Sequence, residues 1–148
     1  MACGLSVNEL NFENFKTTLL NIGNNSNIID LKPIISIDQT VDLNDIDTNV
    51  VHSLKLLEPF GESNSMPIFA IKNLRINSIR SLTNGKHLKL GLKDNSNNYI
   101  DAIGFNLGHY SEEFKIGDKI DIAGNLDINS FNGYDSIQIN IKDIIKSL

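Results

Sequence analysis

Between Ile68 and Lys93 the chain carries six bases, Lys72, Arg75, Arg80, Lys86, Lys89 and Lys93, and no acid. On either side acids dominate: residues 1–67 hold 3 Lys/Arg against 9 Asp/Glu, and residues 94–148 hold 4 against 9. The net charge of the whole chain is −5, but phosphate binding follows the local field rather than the total. Such a stretch could neutralise a phosphodiester backbone; it could equally be a solvated strand face, a common fate of surface charge. Bases of a bound strand would need aromatic rings nearby to stack on. Tyr99, Phe131 and Tyr134 are the candidates, each also open to a packing role. Tyr134 has the strongest case, because it shares strand parity with Gln138 and Asn140. There is no Trp, so binding is expected to be modest, salt-sensitive and indifferent to sequence.

Catalysis finds little support. His52, His87 and His109 lie far apart and in no HxxxH or HxD pattern. No Cys/His cluster suggests zinc, and neither a P-loop nor a GxGxxG run is present. No catalytic residue, metal ligand or cofactor is expected in this chain.

The elements that must position these residues follow from periodicity. With 148 residues, 41% of them hydrophobic, the chain can bury one core. The lone Cys3 forbids an internal disulfide and fits a reducing, cytoplasmic setting; no signal peptide or membrane-length apolar run is seen. Met1 to Val7 reads as a short strand. Asn8 to Ile22 reads as a helix stopped by Gly23, with Asn8 or Asn11 as cap. Ile28 to Ile37, broken by Pro33, reads as an edge strand. Asp42 to Leu57 reads as a second helix with Leu43, Ile46, Val50, Leu54 and Leu57 inward.

From Ile68 the period switches to two. Ile68–Ser81 is a long bent strand, Asn84-Gly85 a hairpin turn, and His87–Lys93 a strand with Leu88, Leu90 and Leu92 inward. Tyr99–Phe105 is a third strand whose inward set, Ile100/Ala102 or Ile103/Phe105, stays open, although Phe105 and Phe69 read as core. A short helix at Gly108–Phe114 precedes strands at Asp118–Asn129 and Tyr134–Ile144. Three strands, a helical link and two strands is the order of a five-stranded OB-fold Greek-key barrel, a mainly β architecture preceded here by a small helix and strand segment. OB folds bind along the outer face of strands two and three, flanked by the 1–2 and 4–5 loops. Arg75, Arg80, Lys86, His87, Lys89 and Lys93 fall on or beside that face, so charge and topology point to one surface.

Leu54-Lys-Leu-Leu-Glu-Pro-Phe-Gly-Glu-Ser-Asn64, followed by Met66-Pro-Ile-Phe69, resembles a segment of the RecJ family, single-stranded-DNA-specific exonucleases of the DHH superfamily. Asp101-Ala-Ile-Gly-Phe105, Gly117-Asp-Lys-Ile-Asp121 and Asn129-Ser-Phe-Asn-Gly133 resemble the same family in the same order. Ser63 and Ser65 stand where the family often has Gly and Pro. The resemblance implies three parts: 1–30 as the C-terminal remnant of a DHHA1 domain, 31–67 as a strand and helix linker, and 68–148 as the OB-fold domain. It implies a single-stranded-DNA-binding module whose parent uses Mn²⁺ or Mg²⁺ in a DHH domain, with that domain and the rest of DHHA1 as its missing partners. The alternative is a bracing or protein-interaction module of the same enzyme, docking a partner such as a single-strand-binding protein. No membrane partner is expected.

Overall fold

The computed structural model describes residues 4–25, 34–131 and 133–147, except the side chain of Phe131. Two compact units divide the chain, Met1–Ile35 and Ser36–Leu148.

In the first unit a 3₁₀ turn at Glu9–Asn11 leads into helix α1, Phe12–Asn25. Asn8 caps the turn by accepting from the Leu10 amide at 3.0 Å. The expected opening strand is not found at residues 4–7, and Met1–Cys3 lie outside the described residues. Nor does Gly23 stop the helix, which runs on through Asn25. A glycine within a helix lowers its stability by about 1 kcal/mol but ends it only when it turns left-handed. No residue of α1 is buried.

The second unit begins with β1, Gln39–Thr40, paired parallel to the start of β2, Phe69–Leu82. This strand stands in place of the expected Ile28–Ile37 edge strand. Residues 28–33 lie outside the described residues, and 34–37 form no strand. Backbone demand chose the site: the edge of β2 needs partners at Ile68 and Ala70. The Asp38 carboxylate accepts from the Ile68 amide, and the Val41 amide donates to Ala70 oxygen.

The expected helix over Asp42–Leu57 is broken in two. A 3₁₀ turn spans Leu43–Asp45, Ile46 is extended, and α2 runs from Thr48 to Lys55. Asp47 starts α2 by accepting from the Val50 amide at 2.8 Å. Four Asp/Asn residues among the six from Asp42 to Asp47 favour caps and turns over a helix interior. The restart rotates the helix, so Val51 is buried while Val50 and Leu57 stay exposed. Asp47→Ala is expected to destabilise the unit by about 1 kcal/mol in urea titrations.

The remaining strands are β3 (His87–Lys93), β4 (Tyr99–Gly104), β5 (Lys119–Phe131) and β6 (Tyr134–Lys146). The sheet order is β1-β2-β3-β4-β6-β5, and β2 also pairs with β5, which closes β2 to β6 into a five-stranded barrel. β2 serves two neighbours because it bends: its first half pairs with β5 and its second with β3, with irregularities after Ile71 and Ile76. At the first bend Asn73 is left-handed (φ 57°), and its freed amide donates to the Asp121 carboxylate. Leu74, Leu88, Leu90, Leu92, Ile120 and Ile139 fill the interior.

The parity of β4 is settled: Ile100 and Ala102 point inward, Tyr99, Asp101 and Ile103 outward. Phe105 is therefore not core; it is 56% exposed. Leu107 packs over Gly104 and takes the inward place instead. Phe69 does pack against the core. Helix α3, Tyr110–Glu113, supports the barrel with Phe114 buried and stacked on Tyr110.

The Leu57–Asn64 segment is held from within. The Asn64 amide group donates to the Leu57 and Pro59 carbonyls, and buried Asn125 ties Met66 and Pro67 to β5.

Candidate nucleic-acid interface

Register places the predicted cations side by side on the outer wall. Arg80 lies opposite Lys89, and Arg75 opposite Lys93. β4 continues the wall, with Asp101 opposite Gly91 and Tyr99 opposite Lys93. Arg75 also pairs with Lys119 of β5, a cation that periodicity alone does not bring to this wall. Its place becomes readable only once β2 is known to pair on both edges.

Lys86 sits in the β2–β3 loop, which takes a left-handed path through Thr83, Asn84 and Gly85. The Gly108 amide donates to the Lys86 carbonyl at 3.2 Å. A side chain at Gly108 would collide with the Gly85 carbonyl oxygen, so glycine lets this segment buttress the loop. His87 is fixed at the start of β3: its Nδ1 accepts from the Asn106 amide at 3.0 Å, and its ring meets Phe105 edge-on at 5.3 Å. In the neutral ring that bond leaves Nε2 as the donor. Phe105 thus belongs to the outer face, a position hidden by reading it as core.

The acid-free stretch in sequence is not acid-free in space. Asp101 stands between the cations, its Oδ2 at 3.3 Å from Lys89 Nζ. Its Oδ1 accepts from the Tyr99 hydroxyl at 2.7 Å. That bond, then burial, hold the Tyr99 phenol above its ordinary pKa, with Ser78 and Arg80 pulling the other way. The Tyr99 side chain lies across Gly91, where a Cβ would strike the phenol and Ser78 Oγ. Ser78, Arg80, Lys89, Tyr99 and Asp101 enclose a cleft of about 200 Å³. Beside it the Asp94 carboxyl, bonded to the Asn98 side chain and to backbone amides, is held below its ordinary pKa and shapes the β3–β4 turn.

Two predicted aromatics lie elsewhere. Phe131 ends β5 and pairs with Tyr134, which is 81% exposed at the start of β6. Gln138 pairs with Asp101, so Tyr134 lies four residues further along, roughly 13 Å at strand rise. It is separate from the cationic cleft.

A closed five-stranded barrel of this order, with a helix between its third and fourth strands and a cationic outer wall, defines an OB-fold domain. The family model described as the RecJ OB domain matches residues 37–143, and the chain belongs to that family. The single-stranded-DNA-specific exonuclease RecJ of Bacillus subtilis (strain 168) is 28% identical over 145 residues, covering 97% of this chain and 18% of that protein. The crystal structure of RecJ with Mn²⁺ from Thermus thermophilus has a TM-score of 0.71 at 22% identity, over 98% of this chain and 20% of that one. Its Mg²⁺ counterpart gives 0.67 at 23% identity, over 97% and 21%. The chain therefore spans about a fifth of the length of these relatives.

Among the described residues no group of three or more His, Cys, Asp or Glu could hold a metal ion. No helix of the described residues is long and apolar enough to cross a membrane.

Proposed function

We propose that this domain grips single-stranded DNA across the outer wall of β2, β3 and β4, for a longer enzyme of the kind its Bacillus relative is named for. The observation that carries this is the crowding of Arg75, Arg80, Lys89 and Lys93 onto one wall, with Lys86 on the β2–β3 loop beside it. Of these, only Lys89 has a carboxylate partner among the described residues. Unpaired cations in register suit a repeating phosphate backbone. Tyr99, His87 and Phe105 supply ring surface beside them, and Tyr134 a more distant stacking position.

In this reading residues 1–30 end a DHHA1 domain and residues 31–67 lead into the barrel. The hydrolytic chemistry, with Mn²⁺ or Mg²⁺, falls to parts of such an enzyme outside the matched region. No hydrolytic step is assigned to any residue of this chain.

The test is fluorescence anisotropy of labelled oligo-dT titrated with the protein at several salt concentrations. The logarithm of the binding constant is expected to fall linearly with log salt, by about 0.7 for each phosphate neutralised. Absence of binding at low salt, or binding indifferent to salt, would refute the proposal.

A second reading, bracing within the same enzyme or docking a single-strand-binding protein, is favoured by α1. Its unit leaves Leu10, Phe12, Leu19 and Leu20 at least half exposed, apolar surface that another domain or partner would cover.

A further inference from the structure

We infer that the cleft between Arg80, Lys89 and Tyr99 seats one backbone phosphate, and that Asp101 occupies it in the free protein as an internal competitor. This rests on the single-stranded-DNA reading and assigns one residue a regulating part in it.

Three neighbouring strands build the cleft. Ser78 faces Gly91, Gly91 faces Asp101, and Arg80 faces Lys89 one step along. Gly91 lets the Tyr99 phenol and the Ser78 hydroxyl lie directly over the floor, where any side chain would meet them. The resulting space of about 200 Å³ is lined by a guanidinium, an ammonium and two hydroxyls, with one carboxylate. Every group but Asp101 can donate to an anion.

Asp101 behaves as that anion. It takes the Lys89 ammonium with one oxygen and the Tyr99 hydroxyl with the other. Arg80 is left without a carboxylate partner among the described residues and remains open to a second anionic oxygen. A phosphodiester presents two such oxygens and would bridge Arg80 and Lys89. To do so it must take Lys89 from Asp101 and lie beside a like charge. Asp101 thus lowers affinity and keeps Tyr99 folded over Gly91 until a strand arrives.

The experiment compares the unmodified protein with Asp101→Asn, Lys89→Gln, the double variant, and Glu112→Gln. Glu112→Gln removes the same charge from α3, outside the cleft. With oligo-dT at low salt, Asp101→Asn is expected to tighten binding about fivefold, the scale of one part-exposed ion pair. Its salt slope should steepen by about 0.7. In the Lys89→Gln background the gain should shrink to that of Glu112→Gln. In the unmodified protein the Asp101 carboxyl carbon resonance should move on adding oligo-dT. The inference falls if Asp101→Asn gains no more than Glu112→Gln, if its gain ignores Lys89, or if the Asp101 resonance stays put. If the unmodified protein binds in those cases, only the cleft assignment is lost. If the unmodified protein does not bind at low salt, the single-stranded-DNA reading is lost as well.

Discussion

Leu90→Ala is expected to destabilise the barrel by about 3–4 kcal/mol, within the range for fully buried leucines. Leu90 is fully buried at the centre of β3, paired with Ile79 on one side and Ala102 on the other. The cost depends on how far neighbours can collapse into the void. Here they can move little, because each barrel strand is hydrogen-bonded on both edges and β2–β5 closes the ring. Domains of this size hold on the order of 5–15 kcal/mol in total, so one substitution removes a large share. Urea titration at constant slope measures it. Leu56→Ala, at a site 85% exposed, serves as control and should stay within about 0.5 kcal/mol. A loss below about 1 kcal/mol for Leu90→Ala would mean that the interior is not close-packed.

Arg80→Glu combined with Lys86→Glu is expected to weaken oligo-dT binding at low salt by on the order of 30–100-fold, through two lost phosphate contacts and two added repulsions. The structure directs this choice. Lys89 would be the obvious target from sequence, but its ammonium lies 3.3 Å from Asp101. Reversing that charge would also break the Lys89–Asp101 ion pair, so a loss of binding would not report the DNA contact alone. Arg80 and Lys86 are exposed and have no carboxylate partner among the described residues. Their reversal should therefore leave the melting temperature close to that of the parent. The deficit should narrow as salt rises, because screening weakens repulsion and attraction alike. Binding within about twofold of the parent at low salt would remove this wall from the DNA path.

Much of the barrel was legible because strands alternate with a period that sequence displays directly. Leu88, Leu90 and Leu92 point inward, and the elements follow the order expected for an OB fold. The helices were less legible. Asp47 took the cap and split the second one, since an aspartate that can bond an amide outcompetes the apolar stripe that suggested continuity. Phe105 went astray for a different reason. Its hydrophobicity argued for core, but its parity put it outside, and Leu107 already filled the place beneath.

The stretch from Lys72 to Lys93 marks a cationic surface on sequence alone, because it holds six bases and no acid. Lys89 and Lys93, an even number of residues apart on one strand, share a face. Arg75 and Arg80, five apart, join that face only through the irregularity between Ile76 and Ser78. The OB order followed equally, from the period and the place of the short helix. Tertiary structure alone decided what stands between those cations. Asp101 is twelve residues from Lys89 along the chain but one strand away in the barrel. Lys119, which sequence sets among acids, joins the wall through the second edge of β2. Charge at a binding face depends on which strands are neighbours, and that is fixed by closure of the sheet.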